Sequence, residues 1–362
     1  MYNEESLPDN AGQRDKNIDT LRGFAMMYVV FIHCLYWIVL FNGKYISIIR
    51  SLFLIEMPLF FFITGASNAL GRKRKLFDFY FSRFQRILLP YWIYGLICIA
   101  LTVIAQKTTG FEQSTYFSLS IPTVFVPVSN VPYLTGALWF VPVYLYIIII
   151  FPFLRWYYER HENDAGKFIP LLIFPFLLSN NGWEALYDAK MLFFYSFWTY
   201  LGLFFQKIDI LGSIKSKIKV IPVVILCAIA VLWFLNKGEH SFDMQNNKFP
   251  PNIVFLVYTA GALLTFYLFS KYIITGLNIL RKNKITGWIY KQYIENCYSM
   301  FLYHPLSFLA LYVFLKYSGL DEYVFQNRWI CLFVYIIITI PATAIIGKIF
   351  SWTEKIKIKT TL

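Results

Sequence analysis

Charged residues are scarce in this 362-residue chain. Asp, Glu, Lys and Arg make up 15% of it, and only 20 residues are acidic. A soluble domain carries about 25% charged residues. Here 58% of the chain is hydrophobic and 20% aromatic, more apolar surface than one globular core of this size hides. The composition excludes an ordinary cytosolic enzyme, a disordered chain and a DNA-binding domain. Cysteine is sparse too. Cys34, Cys98, Cys227, Cys297 and Cys331 are scattered, four of them in or beside apolar runs, with no CxxC and no Cys/His zinc spacing. Neither a disulfide framework nor a metal site is indicated. Internal repeats and low-complexity tracts are lacking. The first 17 residues are polar, and no small-residue cleavage site follows the first apolar run. That run is therefore expected to stay as a helix rather than leave as a signal peptide.

What the chain does have is long apolar runs, with a mean hydropathy of +0.54. They fall at about 18–41, 46–70, 87–105, 137–154, 168–179, 191–206, 218–235, 251–270, 296–315 and 329–350. Ten spans of ~20 residues use ~200 residues. The expected fold class is all-α: a polytopic transmembrane helix bundle of about ten helices. The fifth run is short and contains Pro170 and Pro175, which predicts a broken or re-entrant segment. The connector 106–136 is long, rich in aromatics and holds Pro122, Pro127 and Pro132, so it is a candidate lid or cleft wall.

The net charge of +13 does not point to nucleic acid, because the basic residues sit in short clusters between apolar runs. Of the 33 Lys and Arg residues, 25 fall in one alternate set of loops and 8 in the other. The positive-inside rule then places both termini in the cytoplasm. Residues 18–350 read as one membrane domain, with cytoplasmic tails at 1–17 and 351–362.

Ionisable groups at membrane depth are costly, so the few present are informative. The first run carries Asp19, Arg22 and His33. Asp19 and Arg22 are i, i+3 and can pair. Arg22 and His33 are eleven residues apart, nearly three turns, so they share a helix face ~16 Å apart along the axis. The plain alternative makes Arg22 a positive-inside anchor and His33 an interhelix hydrogen bonder. Arg83 and Arg86, in SRFQRILLPYW, run into the third apolar stretch. Paired planar guanidinium groups suit phosphate oxygens. The preceding Arg72, Lys73, Arg74 and Lys75 need no more than anionic lipid heads to explain them. His304, in CYSMFLYHP, lies among the hydroxyls of Tyr298, Ser299 and Tyr303, and Pro305 is expected to free a backbone carbonyl there. Glu56 is a carboxyl within the second run, and Trp139 opens the fourth, where a belt role is the plain reading.

At these residues the sequence resembles the bacterial acyltransferase 3 family of integral membrane O-acyltransferases. IDTLRGFAMMYVVFIH (18–33), EMPLFFFITGASN (56–68, with Thr64 where the family usually has Ser), FSRFQRILLPYW (81–92) and YSMFLYHP (298–305) carry the likeness, in order, over nearly the whole chain. The MPLFF segment and GALWFVPVYLY (136–146) look most like the fucose 4-O-acetylase-like branch. The Glu that follows the Trp in many other members is missing here, so no role for that carboxylate carries over.

The resemblance implies that His33 is the catalytic histidine, with Asp19 supporting the catalytic helix by holding Arg22. It implies that Arg22, Arg83 and Arg86 bind the phosphates of acetyl-CoA, the acyl donor; no metal is expected, given the cysteine and histidine spacing. His304, Glu56, Trp139 and Tyr303 are candidate substrate or supporting residues. The implied acceptor is a hydroxyl of a cell-surface or lipid-linked glycan, at the plasma membrane. His33 would act either as a general base or as a transient acetyl carrier. Two other readings share the polytopic build: a transporter or flippase of a lipid-linked glycan, and a scaffold in an envelope-assembly complex. Paired inverted repeats, common in transporters, are not evident.

Overall fold

The computed structural model describes residues 15–39, 48–71, 75–109, 115–118, 126–129, 131, 133–179 and 187–356. Most of the cluster 72–75, all of residues 1–14 and residues 357–362 lie outside them. Helices cover all ten apolar runs. The helices are α1 (Lys16–Val39), α2 (Glu56–Ala69), α3 (Leu76–Thr109), α4 (Phe140–Arg160), α5 (Ile169–Ser179), α6 (Tyr187–Gly202), α7 (Ile221–Asn236), the short α8 (Met244–Lys248), α9 (Ile253–Leu280), α10 (Lys284–Glu295), α11 (Cys297–Ser318) and α12 (Arg328–Phe350); α8 and α10 lie between runs. Among the described residues, eight helical segments are long and apolar enough to cross a membrane. The fifth and sixth runs form shorter helices: α5 with its leading turn from Ala165, and α6 with 16 residues.

Three local expectations change. The fifth run is one continuous helix that passes through Pro175, not a broken one. Its Leu172 and Phe176 are each 71% exposed, as suits a helix facing lipid. The third helix starts about ten residues before the expected apolar boundary, because Phe79, Tyr80 and Phe84 give its polar first part an apolar face that packs on the core. Arg83 and Arg86 therefore sit two to three turns into α3 rather than at its start. Finally, the connector before α4 contains an antiparallel hairpin of β1 (Thr115–Ser118) and β2 (Val126–Ser129), with Thr115 opposite Ser129. A membrane bundle needs no strand, and the period-2 signal there is only four residues long.

The bundle is layered around α1, α2 and α11. In each of these, 61% of the spanning segment is buried, against 6% in the segment that ends with α7. Helix α1 packs against α2, α10, α11 and α12, so the residues on its stripe face protein, not lipid. Between α2 and α6 the backbones nearly touch: a Cβ on Gly65 would lie 1.9 Å from the Thr199 carbonyl oxygen. Small residues allow such close approach in membrane bundles. This contact fixes the tilt of α2, which carries Glu56 at one end and Asn68 at the other. Beyond α12, the turn Ser351–Lys355 folds back against α3.

Candidate active site

Two chambers lie along the buried stripe of α1. The first, about 250 Å³, is lined by Arg22, Arg83, Arg86, Asn68, Glu295 and Tyr298 among others. Arg22 pairs with Asp19 at 3.0 Å and donates to the Ile294 carbonyl at 3.3 Å. Its Nε is buried without a partner. Arg83 donates to Asn68 Oδ1 at 2.6 Å. Arg86 donates to Glu354 Oε2 at 3.2 Å. Glu354 in turn accepts from the Ser299 amide at 2.7 Å and the Ser299 hydroxyl at 2.5 Å. Each guanidinium is thus aimed by a side-chain oxygen, and each has five N–H groups to offer. Three such forks around one cavity suit an anion with several oxygens, such as a phosphate or pyrophosphate.

The second chamber, about 340 Å³, is lined by His33, His304, Glu56, Trp139, Tyr36 and Lys248 among others. The His33 and His304 rings lie 4.7 Å apart between centroids. His33 Nδ1 meets the Val29 carbonyl at 2.9 Å, and His304 Nδ1 meets the Phe301 carbonyl at 2.5 Å. Within α11 the Phe301 carbonyl would normally receive the amide of residue 305, but Pro305 has none. The freed oxygen takes His304 instead. A carbonyl oxygen only accepts, so in each neutral ring Nδ1 holds the hydrogen and Nε2 keeps the lone pair. Both imidazoles are therefore set as bases through Nε2.

An aromatic partition separates the chambers. Phe60 and Tyr144 line the first, Phe140 and Phe301 the second. Phe140 is the hub: its ring is 5.1 Å from Phe60, 4.7 Å from Phe301 and 5.4 Å from Tyr144.

The structure brings Arg22, Arg83 and Arg86 to one chamber, and His33, His304, Glu56 and Trp139 to the other. Asp19 belongs to the arginine end and does not reach the imidazoles. Tyr303 lines neither chamber. It stacks on Phe350 at 4.3 Å, with its hydroxyl near the Pro90 carbonyl at 3.5 Å. Among the described residues, the aromatic connector reaches the histidine chamber at Tyr133 and Gly136; Pro122 and Pro132 lie outside the described residues.

Sequence reasoning missed Lys248, Asn68 and Glu354. Lys248 was counted as loop charge, yet it is buried and ion-paired with Glu56. A lysine beside an apolar run with Phe249 and two prolines next to it is the weak signal that was there. Asn68 ends the EMPLFFFITGASN segment, which by itself gives it no partner. Glu354 reaches Arg86 over 268 positions, which no local pattern reveals. Among the described residues, no group of three or more His, Cys, Asp or Glu is placed to hold a metal ion.

Compared with known families, the chain matches the one described as "Acyltransferase domain" over residues 15–348. No curated protein and no solved structure matches it significantly. The match takes in both chambers and every helix that lines them. The chain belongs to the acyltransferase 3 family of membrane-embedded O-acyltransferases.

Proposed function

We propose that this protein transfers an acetyl group from acetyl-CoA to a hydroxyl of a cell-surface or lipid-linked glycan at the plasma membrane. The observation that carries the reading is the pair of chambers on one helix stripe, arginines at one end and paired imidazoles ~16 Å further along. Acetyl-CoA has the matching shape: a phosphate-rich head and a long arm ending in the thioester. Its phosphates would sit among Arg22, Arg83 and Arg86, and its arm would run along α1 towards His33. The loop charges support an arginine chamber open to the cytoplasm and termini on that side. The MPLFF and GALWFVPVYLY segments support the fucose 4-O-acetylase-like branch.

His33 Nε2 takes the proton of the acceptor hydroxyl as the oxygen bonds to the acetyl carbon. The carbon–sulfur bond then breaks, and the CoA sulfur leaves with that proton. His304, with its own Nε2 lone pair beside His33, shares the charge that forms on the first ring. An acetyl-His33 route uses the same atoms in two transfers instead of one. In both, the aromatic cluster around Phe140 limits the passage of bulk water from the arginine chamber to the histidine chamber.

Mass spectrometry of envelope glycans from cells with and without the protein tests this reading. A mass difference of one acetyl group is the expected result. Identical glycans, with normal glycan export lost instead, would favour the flippase reading.

A further inference from the structure

Glu56 and Lys248 form an ion pair that is buried on both sides, with side chains 4% and 5% exposed. The pair is made through Glu56 Oε1. The other carboxylate oxygen, Oε2, is buried and has no hydrogen-bond partner. A buried carboxylate oxygen without a donor loses its hydration with nothing in return, so such oxygens are nearly always satisfied. Glu56 lines the histidine chamber. A donor that satisfies Oε2 can therefore be a molecule that enters the chamber.

The surroundings define that molecule. Lys248 neutralises Glu56, so the site holds no net charge to match an ionic ligand. Trp139 offers an aromatic wall 5.3 Å from Lys248 Nζ. The cavity lies near the lower end of the ~300–1,000 Å³ seen for small-molecule sites. A neutral, compact group with several hydroxyls fits, and a single sugar ring is such a group.

The pair is also held firmly in place. Asp243 accepts from Arg50 at 2.6 Å and from Ser51 at 3.1 Å, and it caps α8 through the Gln245 amide at 3.0 Å. Ser51 in turn accepts the Met244 amide at 2.9 Å. The turn that leads into α2 and the short helix α8 are thereby locked together; α2 begins with Glu56 and α8 ends with Lys248. This is more construction than a stray buried charge needs.

We propose that Glu56 Oε2 is an acceptor-binding group. It receives a hydrogen bond from a second hydroxyl of the acceptor, next to the one that His33 deprotonates. The enzyme is thus specific for neutral sugars with adjacent hydroxyls. The inference rests on the proposed acetyl transfer to a glycan and adds the substrate class and its selector.

The test uses purified full-length protein in lipid nanodiscs, labelled acetyl-CoA, and methyl glycosides of neutral hexoses and deoxyhexoses as probe acceptors. For the best probe, derivatives lacking one hydroxyl each are compared on the native protein and on Glu56→Gln. In the native protein, removing the hydroxyl beside the acetylated one should lower kcat/KM at least tenfold. In Glu56→Gln the parent probe should suffer a similar loss, the deoxy derivative should suffer little more, and the KM for acetyl-CoA should stay unchanged. An equal deoxy penalty in both proteins would overturn the role of Glu56 while leaving acetyl transfer intact. Failure of the native protein to acetylate any methyl glycoside would instead overturn the glycan reading, and this inference with it. Should Glu56→Gln not purify as a folded protein, Glu56→Asp carries the same comparison. It keeps the charge opposite Lys248 and withdraws the oxygen by one methylene.

Discussion

His33 and His304 lie 271 positions apart in sequence, and their rings face each other at 4.7 Å between centroids. Each Nδ1 meets a backbone carbonyl, and both imidazoles line one chamber. Two bases so close cannot both be protonated cheaply. One of them can hold a proton while the other steadies it. His304→Gln should therefore lower kcat at least about tenfold, within the range for lost acid–base assistance, and leave the KM for acetyl-CoA unchanged. Steady-state label transfer measures both constants. An unchanged kcat would reduce His304 to packing.

The arginine chamber predicts the opposite kinetic pattern. Replacing Arg83 or Arg86 with Ala removes one charge-assisted hydrogen-bonding group, about 1.5–3 kcal/mol. The KM for acetyl-CoA should rise about tenfold or more, with acceptor KM little changed. Equal weakening of both substrates would mean that these arginines hold the fold instead.

Glu354 aims Arg86 and also satisfies the Ser299 amide near the start of α11. Glu354→Gln keeps the shape and removes the charge. The KM for acetyl-CoA should then shift several-fold, in the same sense as in Arg86→Ala, and the double variant should be less than additive. Strict additivity in that cycle would separate the two residues.

Phe140 keeps the chambers apart. Phe140→Ala should join them and admit water. Hydrolysis of acetyl-CoA without acceptor should rise relative to transfer, and thermal stability should fall by roughly 3–5 kcal/mol. The two effects are measured by free CoA release and by thermal unfolding in detergent. Loss of stability with no rise in hydrolysis would show that Phe140 only packs.

Close approach of α2 and α6 leaves no room at Gly65. Gly65→Ala should force the helices apart, lower the melting temperature by several degrees and weaken both substrate sites together. A melting temperature equal to that of the native protein would contradict the described contact.

Much of the architecture was legible because apolar runs of span length have few other uses. The ten runs all became helices, and the periodicity of α1 placed Arg22 and His33 on one stripe. The limits follow from the same physics. Phe79, Tyr80 and Phe84 extend α3 beyond its most apolar stretch, because an amphipathic start can pack on protein without lipid. Pro175 did not break α5, where a proline seven residues into a helix still leaves most hydrogen bonds in place. By sequence Lys248 is one more loop charge; its buried pairing with Glu56 depends on α8 and the start of α2 meeting in the fold. Pairings such as Arg86 with Glu354 and His33 with His304 are products of tertiary packing, and no window along the sequence contains them.

The most direct measurement compares native protein and His33→Ala in nanodiscs, each given labelled acetyl-CoA and an envelope glycan extract. Helical content and acetyl-CoA binding should match in the two proteins, because the arginine chamber is untouched. The native protein should move label into the glycan, and His33→Ala should move none above background. Full label transfer by a folded His33→Ala protein would contradict the account.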